Sequence, residues 1–218
     1  MQTKIDEIIL TNLYKGFNGK RVINDLSMHI PAGSKITISG KSGSGKSTLL
    51  NIIMGFLMPD SGSVEIMGCM MNNKNVHKLR NAISWVPQEL NIDISYAKDL
   101  LLLPFNYHKN RNSIPSDDSI SQILAKFDLS KSILSQEVGE ISGGERQRIF
   151  LASAALLKRK IYFLDEPTSA LDSESKKKVM NYFLHECNAT VVAVTHDNVW
   201  MDNSDSILNM NSKKAGIQ

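Results

Sequence analysis

Few folds can hold the run Gly40-Lys41-Ser42-Gly43-Ser44-Gly45-Lys46-Ser47 between an apolar strand and a helix. The run satisfies G-x-x-x-x-G-K-[ST] at every fixed position. Residues 35–39 read as the strand before it, and residues 48–58 as the helix after it, stopped by Pro59 and Gly62. Gly40, Gly43 and Gly45 let backbone N–H groups close around a β-phosphate, with Ser42, Ser44 and Thr48 in the same loop and first turn. The helix beginning near Gly45 adds the positive end of its dipole. Lys46 would reach the β- and γ-phosphates, and the Ser47 hydroxyl would ligate Mg²⁺. A flexible Gly/Ser-rich turn is the alternative, and the flanking strand and helix disfavour it.

Such a loop needs a carboxylate at the tip of a second buried strand. Residues 160–164 form an apolar run, and Asp165-Glu166 follows it. Asp165 suits the metal. Glu166 would face a water in line with the γ-phosphate and act as general base, a role worth roughly 10²–10⁴-fold in rate. Pro167 and apolar neighbours argue against a capping or surface glutamate here.

The rest of the chain fits an α/β frame. Its 218 residues are 42% apolar and 22% charged, in the globular range. A net charge of +3 is too small to argue for a nucleic-acid partner. Residues 5–13 and 22–30 read as antiparallel strands joined by the turn Phe17-Asn18-Gly19, with further strands at 64–67 and 82–86. Residues 95–103, 118–127 and 144–157 have helical spacing. The apolar run 190–194 restores the strand rhythm after an amphipathic helix at 173–187. These elements predict a mostly parallel sheet core with an N-terminal antiparallel β subdomain and an inserted helical subdomain. The core takes 1–87 and 158–218, and the insertion 88–157.

Cys69 and Cys187 are far apart, outside any C-x-x-C pair, and read as buried thiols of a reducing compartment. The N-terminus has charges where a signal peptide would be apolar. No apolar run approaches the ~18–20 residues of a membrane span. A soluble, cytoplasmic chain is expected, reaching any membrane through a partner.

Further segments sharpen the reading. Ile141-Ser142-Gly143-Gly144-Glu145-Arg146-Gln147-Arg148 opens a helix upstream of Asp165-Glu166-Pro167-Thr168-Ser169-Ala170-Leu171-Asp172. Gln88 follows a strand end, and His196 lies in Val194-Thr195-His196-Asp197. In this order, and over essentially the whole chain, these motifs resemble those of the ATP-binding cassette (ABC) ATPases, a class of P-loop NTPase. The resemblance implies ATP as substrate with Mg²⁺ held by Ser47, Gln88 and Asp165. It also implies Glu166 as catalytic base, His196 as switch histidine, Gln88 as Q-loop glutamine, and adenine stacked on Phe17, with Tyr14 as second choice. Ser142, Gly143, Gly144 and Glu145 would close over the γ-phosphate of a partner, and Asp172 ends the D-loop. Two copies would pack head to tail around ATP, a self-complementary arrangement.

Two positions depart from the family pattern. Ile141 stands for the usual Leu, and Glu145 for the usual Gln, placing a carboxylate near the partner's nucleotide. The family further implies a membrane permease on a separate polypeptide, with this chain on the cytoplasmic face of the plasma membrane. The short chain and Leu103-Pro104-Phe105 look similar to small ATPases paired with a putative iron-export permease, with lipoprotein-release and peptide-export ATPases of the same size nearly as close. Residues 100–105 are either apolar surface for the permease or core of the helical subdomain. A soluble ABC ATPase of an iron–sulfur assembly scaffold is the competing class. His77, His108 and His185 read as surface residues, and the methionines at 67–71 as strand-and-turn packing.

Overall fold

The computed structural model describes residues 6–89 and 93–211, and their contacts divide into two units. The first takes the described parts of Met1–Ser84 and Asn188–Gln218 with Lys160–Leu164. The second takes Trp85–Arg159 and Asp165–Cys187.

In the first unit β1 (Asp6–Phe17) and β2 (Lys20–Pro31) pair antiparallel across Asn18-Gly19. Ile5, read as the start of this strand, lies outside the described residues. Leu10 and Leu13 are both buried although three positions apart. Asn12 sits between them at φ 45°, where the register with β2 shifts. The extra residue of this bulge returns Leu13 to the inner face. β4 (Ser61–Ile66) pairs with β1, and β5 (Cys69–Met70) folds back on β4, giving the order β2-β1-β4-β5. Cys69 is therefore exposed on a two-residue edge strand, against the expectation of a buried thiol, while Cys187 is half-buried.

A second sheet has five strands. β3 (Lys35–Ser39), β6 (Ile83–Val86), β7 (Ile161–Asp165), β8 (Thr190–Val194) and β9 (Ser206–Asn209) run in the order β6-β7-β8-β3-β9. β3 lies parallel between β8 and β9. β8 is buried at all five positions, as a strand covered on both faces must be. Ile36, Ile38, Phe163, Val192 and Val194 join the antiparallel sheet's Ile8, Leu10 and Ile30 in one apolar core. α1 (Lys46–Ile53) adds Leu49, Leu50, Ile52 and Ile53 to it.

The sequence predicts α1 as far as Met58, but it stops at Ile53. Gly55 turns the chain at φ 70°, and α2 (Val76–Arg80) supplies a cap. Arg80 donates from Nε to Met54 O at 2.9 Å and from Nη2 to Gly55 O at 2.6 Å. Its guanidinium lies 4.3 Å from the Phe56 ring centroid. These bonds satisfy carbonyls that a helix end leaves unpaired.

The second unit is helical: α3 (Ala97–Leu102), α4 (Asp117–Lys126), α5 (Gly143–Leu156) and α6 (Ser173–Met180). Leu100, Leu101 and Phe105 are buried with Ile123, Leu124, Phe127 and Ile149. Half of the run 100–105 thus belongs to the core of this unit, while Leu102, Leu103 and Pro104 are half-buried. The buried Ser153 Oγ donates to Leu101 O at 2.7 Å. α6 was expected to run on to Cys187 but changes to a π-helical turn at Asn181–Glu186. That turn brings Tyr182 and Phe183 against Phe127, with ring centroids 5.1 and 5.9 Å away. Among the described residues no helix is long and apolar enough to cross a membrane.

Candidate functional site

The first unit gathers the phosphate loop. β3 delivers Gly40 and α1 begins at Lys46, so residues 40–45 span strand to helix as the motif requires. Gly40 stands at φ 150°, and a Cβ there would lie 2.6 Å from Ser44 Oγ and 3.1 Å from Met210 Cβ. The loop closes on itself through Ser44 N–H to Lys41 O at 3.1 Å. Gly45 is the N-cap of α1 and offers no side-chain acceptor to the first-turn N–H groups. Ser44 Oγ is buried with no protein partner. A helix start with no side-chain cap, an orphaned hydroxyl and a Gly40 that no residue with a Cβ could replace without displacing Ser44 make a cradle that fits phosphate oxygens.

Lys46 is half-buried, and its Nζ donates to Gly40 O at 2.5 Å and Lys41 O at 3.2 Å. The ammonium is held over the loop. Ser42, Gly43 and Ser47 are exposed, and Thr48 is half-buried in the first turn. β9 buttresses the loop: Met210 N–H donates to Ser39 O at 2.9 Å, and Lys41 N–H to Asn211 Oδ1 at 3.0 Å. Sequence reasoning missed this contribution, because residues 206–209 carry no strand signal of their own.

Phe17, at the end of β1, is 45% exposed. Lys15 places its Nζ 5.5 Å from the ring centroid and pairs with Asp60 at 2.6 Å. Tyr14, the second choice for the base, is half-buried and hydrogen-bonds Asp25. Desolvation first, then the Asp25 charge and hydrogen bond, push its phenol above the ordinary range. Phe17 therefore presents the open ring. His196, just past β8, is exposed, and Asp197 behind it caps α7 (Asn198–Asp202).

The second unit gathers the remaining candidates. Asp165 and Glu166 are half-buried at the end of β7. Glu166 has φ 46°, a left-handed conformation that non-glycine residues rarely hold. Ser142 is the N-cap of α5, with Gly143 and Gly144 in its first turn. Ser142 and Glu145 form a capping box. The Ser142 hydroxyl first, then its N–H, hold the Glu145 carboxyl below its usual range. The substitution of Glu for Gln is therefore absorbed locally by a helix cap.

Asp172 caps α6, accepting from Glu174 N–H and Ser175 N–H at 2.9 Å each and from Ser175 Oγ at 2.6 Å. The Ser175 hydroxyl leads in holding its carboxyl down at about 2. Gln88 is exposed and lines a groove of about 260 Å³ with Glu89, Gly143, Gln147, Phe150 and Ala170. Gln147 and Arg148 also reach the Glu166–Ser175 segment. Neither was singled out from the sequence, since a polar residue within a helical run has no signature of its own.

The model of the ABC transporter family matches residues 23–169. The transport/processing ATP-binding protein MesD of Leuconostoc mesenteroides is 36% identical over 92% of this chain and 28% of its own length. The probable iron export ATP-binding protein FetA of Escherichia coli is 31% identical over 91% of this chain and 88% of its own. This chain spans about a quarter of the length of MesD and of the lactococcin transport/processing protein LcnC. Among solved structures, the dimeric bacterial ABC transporter cassette MJ0796 has a TM-score of 0.77 at 28% identity, covering 93% of each chain. An Atm1-family ABC exporter solved with ATP shares the fold, with a TM-score of 0.84 at 22% identity over 98% of this chain and 39% of that one. The order of the motifs, the phosphate cradle and these matches agree: the chain belongs to the ABC transporter family.

Proposed function

We propose that this chain is the ATPase subunit of an ABC transporter, energising a membrane permease through an ATP-driven, head-to-tail dimer with a second copy of itself. The observation that carries the reading is that one chain holds two helices opened by Gly/Ser runs, either of which could face an anion. One is the N-terminus of α1, behind the loop with its orphaned Ser44 hydroxyl. The other is the N-terminus of α5, where Gly143 and Gly144 form the first turn beside the Ser142–Glu145 capping box. One ATP needs only the first, so the second serves the nucleotide of a partner molecule. Relatives covered over most of their length, FetA and the Bacillus subtilis protein YxdL, are named as ATP-binding proteins, of iron export and of an ABC transporter respectively.

In this reading the loop N–H groups and Lys46 bind the β- and γ-phosphates, and Phe17 stacks on the adenine. Ser47, Gln88 and Asp165 offer hydroxyl, amide and carboxylate oxygens, a hard donor set that suits Mg²⁺. The ion supplies charge neutralisation at the phosphate oxygens when bound. Glu166 takes a proton from the water whose oxygen attacks the γ-phosphorus, and the bond to the β,γ-bridging oxygen breaks, giving ADP and phosphate. His196 orients the γ-phosphate side of the site. The chain would lie on the cytoplasmic face of the plasma membrane, held by its permease.

The test is to tag the Glu166→Gln protein, trap it with ATP in its native membranes and identify what co-purifies. An integral membrane protein is the expected partner. Recovery of soluble partners alone, with no retention on the membrane, would overturn the transport reading in favour of an assembly-scaffold ATPase.

A further inference from the structure

Gln147 lies on α5, just past its first turn, and both ends of its side-chain amide are engaged. Nε2 donates to Glu166 O at 3.0 Å, and Oε1 accepts from Ala170 N–H at 3.2 Å. The five-residue turn from Glu166 to Ala170 is thus clasped at its first and last residues by one side chain from another element. Within the turn, Glu166 O also accepts from Ser169 N–H at 3.3 Å and Ser169 Oγ at 3.1 Å.

A clasp is needed because Glu166 stands at φ 46°. A left-handed L-residue costs about 1–2 kcal/mol and persists only where its surroundings over-determine it. The same face of α5 grips this segment twice more. A Cβ on Gly144 would lie 3.1 Å from Ala170 O. Arg148 donates to Ser175 Oγ and lies 3.6 Å from Asp172 Oδ2. Positions 144, 147 and 148 fall together on a helix at i, i+3 and i+4.

We propose that Gln147 is a positioning residue for ATP hydrolysis. It fixes the backbone of Glu166, and with it the direction of the carboxylate that takes the proton. Because Ser142, Gly143 and Gly144 open the same helix, the loop that faces a partner's nucleotide and the base of the chain's own site move as one piece. This rests on Glu166 being the base, as proposed above.

The experiment compares steady-state ATPase kinetics of the full chain with those of Gln147→Met, which keeps the shape and loses both hydrogen bonds, and Gln147→Glu, which keeps only the acceptor. Gln147→Met should lower kcat about tenfold, the equivalent of one lost hydrogen bond of about 1.4 kcal/mol. Half-saturating ATP should stay within about twofold, because nucleotide binding does not use this turn. Gln147→Glu, which sets a carboxylate oxygen against Glu166 O, should lower kcat at least as far. In the Glu166→Gln background Gln147→Met should cost nothing further, since the base that Gln147 positions is gone. A kcat that survives in Gln147→Met, or an effect that adds fully to that of Glu166→Gln, would overturn the inference and leave the ATPase reading standing. If Glu166→Gln alone leaves hydrolysis intact, Glu166 is not the base and this proposal falls with that reading. Should Gln147→Met lose its circular dichroism signal, the kcat of folded Gln147→Glu decides in its place.

Discussion

Ser142 and Glu145 close on each other: Glu145 Oε2 accepts from the Ser142 N–H at 2.9 Å and from its hydroxyl at 2.7 Å, while Ser142 Oγ accepts from Glu145 N–H at 3.2 Å. The carboxylate is thereby committed to the helix it begins. Replacing Ser142 by Ala should lower stability by about 1 kcal/mol, the ordinary worth of an N-cap. Glu145→Gln, which keeps an acceptor in place, should cost less than Glu145→Ala. Urea unfolding of the three variants at neutral pH checks the order.

The same caps make an acid-labile element. Glu145 and Asp172 both have carboxyls held below their ordinary values of 4.5 and 3.8, Asp172 to about 2. A depressed folded value means stability that is present above the unfolded value and lost as pH falls through the folded one. Unfolding midpoints should therefore hold steady from pH 7 to about 5, then fall between roughly pH 4 and 2. The double variant Glu145→Gln/Asp172→Asn should flatten that acid limb. An unchanged limb would show that other carboxylates set it.

Hydrolysis should depend on Glu166 far more than binding does. Glu166→Gln should reduce turnover roughly 10²–10⁴-fold while leaving ATP affinity within a few-fold. With saturating ATP the variant should run as a dimer in size-exclusion chromatography with light scattering. A monomer under those conditions would argue strongly against the head-to-tail pairing.

Lys46 is predicted to act at the binding step. A charge-assisted hydrogen bond to phosphate is worth about 1.5–3 kcal/mol, so Lys46→Met should weaken ATP binding by about 10–150-fold. Titration with a fluorescent ATP analogue measures it directly.

Phe17 offers a milder and more selective test. An aromatic stack is worth about 0.5–1.5 kcal/mol, so Phe17→Ala should weaken ATP binding roughly 2–10-fold, and Phe17→Tyr should leave it unchanged. Tyr14→Phe should have little effect on binding, since that phenol faces Asp25.

Where burial is complete on both faces, the sequence was easy to read. β3 and β8 have the limits expected from their apolar runs, because a strand covered on both sides tolerates little else. The phosphate loop was legible for a different reason: its glycines and lysine answer to one ligand chemistry at fixed spacing. Elements held in place by other elements were not legible. β9 exists because β3 pairs with it. The end of α1 is set by Arg80, 26 residues beyond Met54. Cys69 looked like a buried thiol by residue type, but its position on an edge strand exposes it. The clasp of Gln147 joins residues 19 and 23 positions apart, beyond the reach of any local pattern.

The left-handed backbone at Glu166 sets a limit for anyone engineering this protein. Glycine would be the most comfortable residue at φ 46°, and a search for thermostability would be drawn to it by a gain of about 1 kcal/mol. That change would remove the carboxylate we propose as the base. Stability and turnover therefore oppose each other at this residue, and gains in robustness have to be sought elsewhere in the chain.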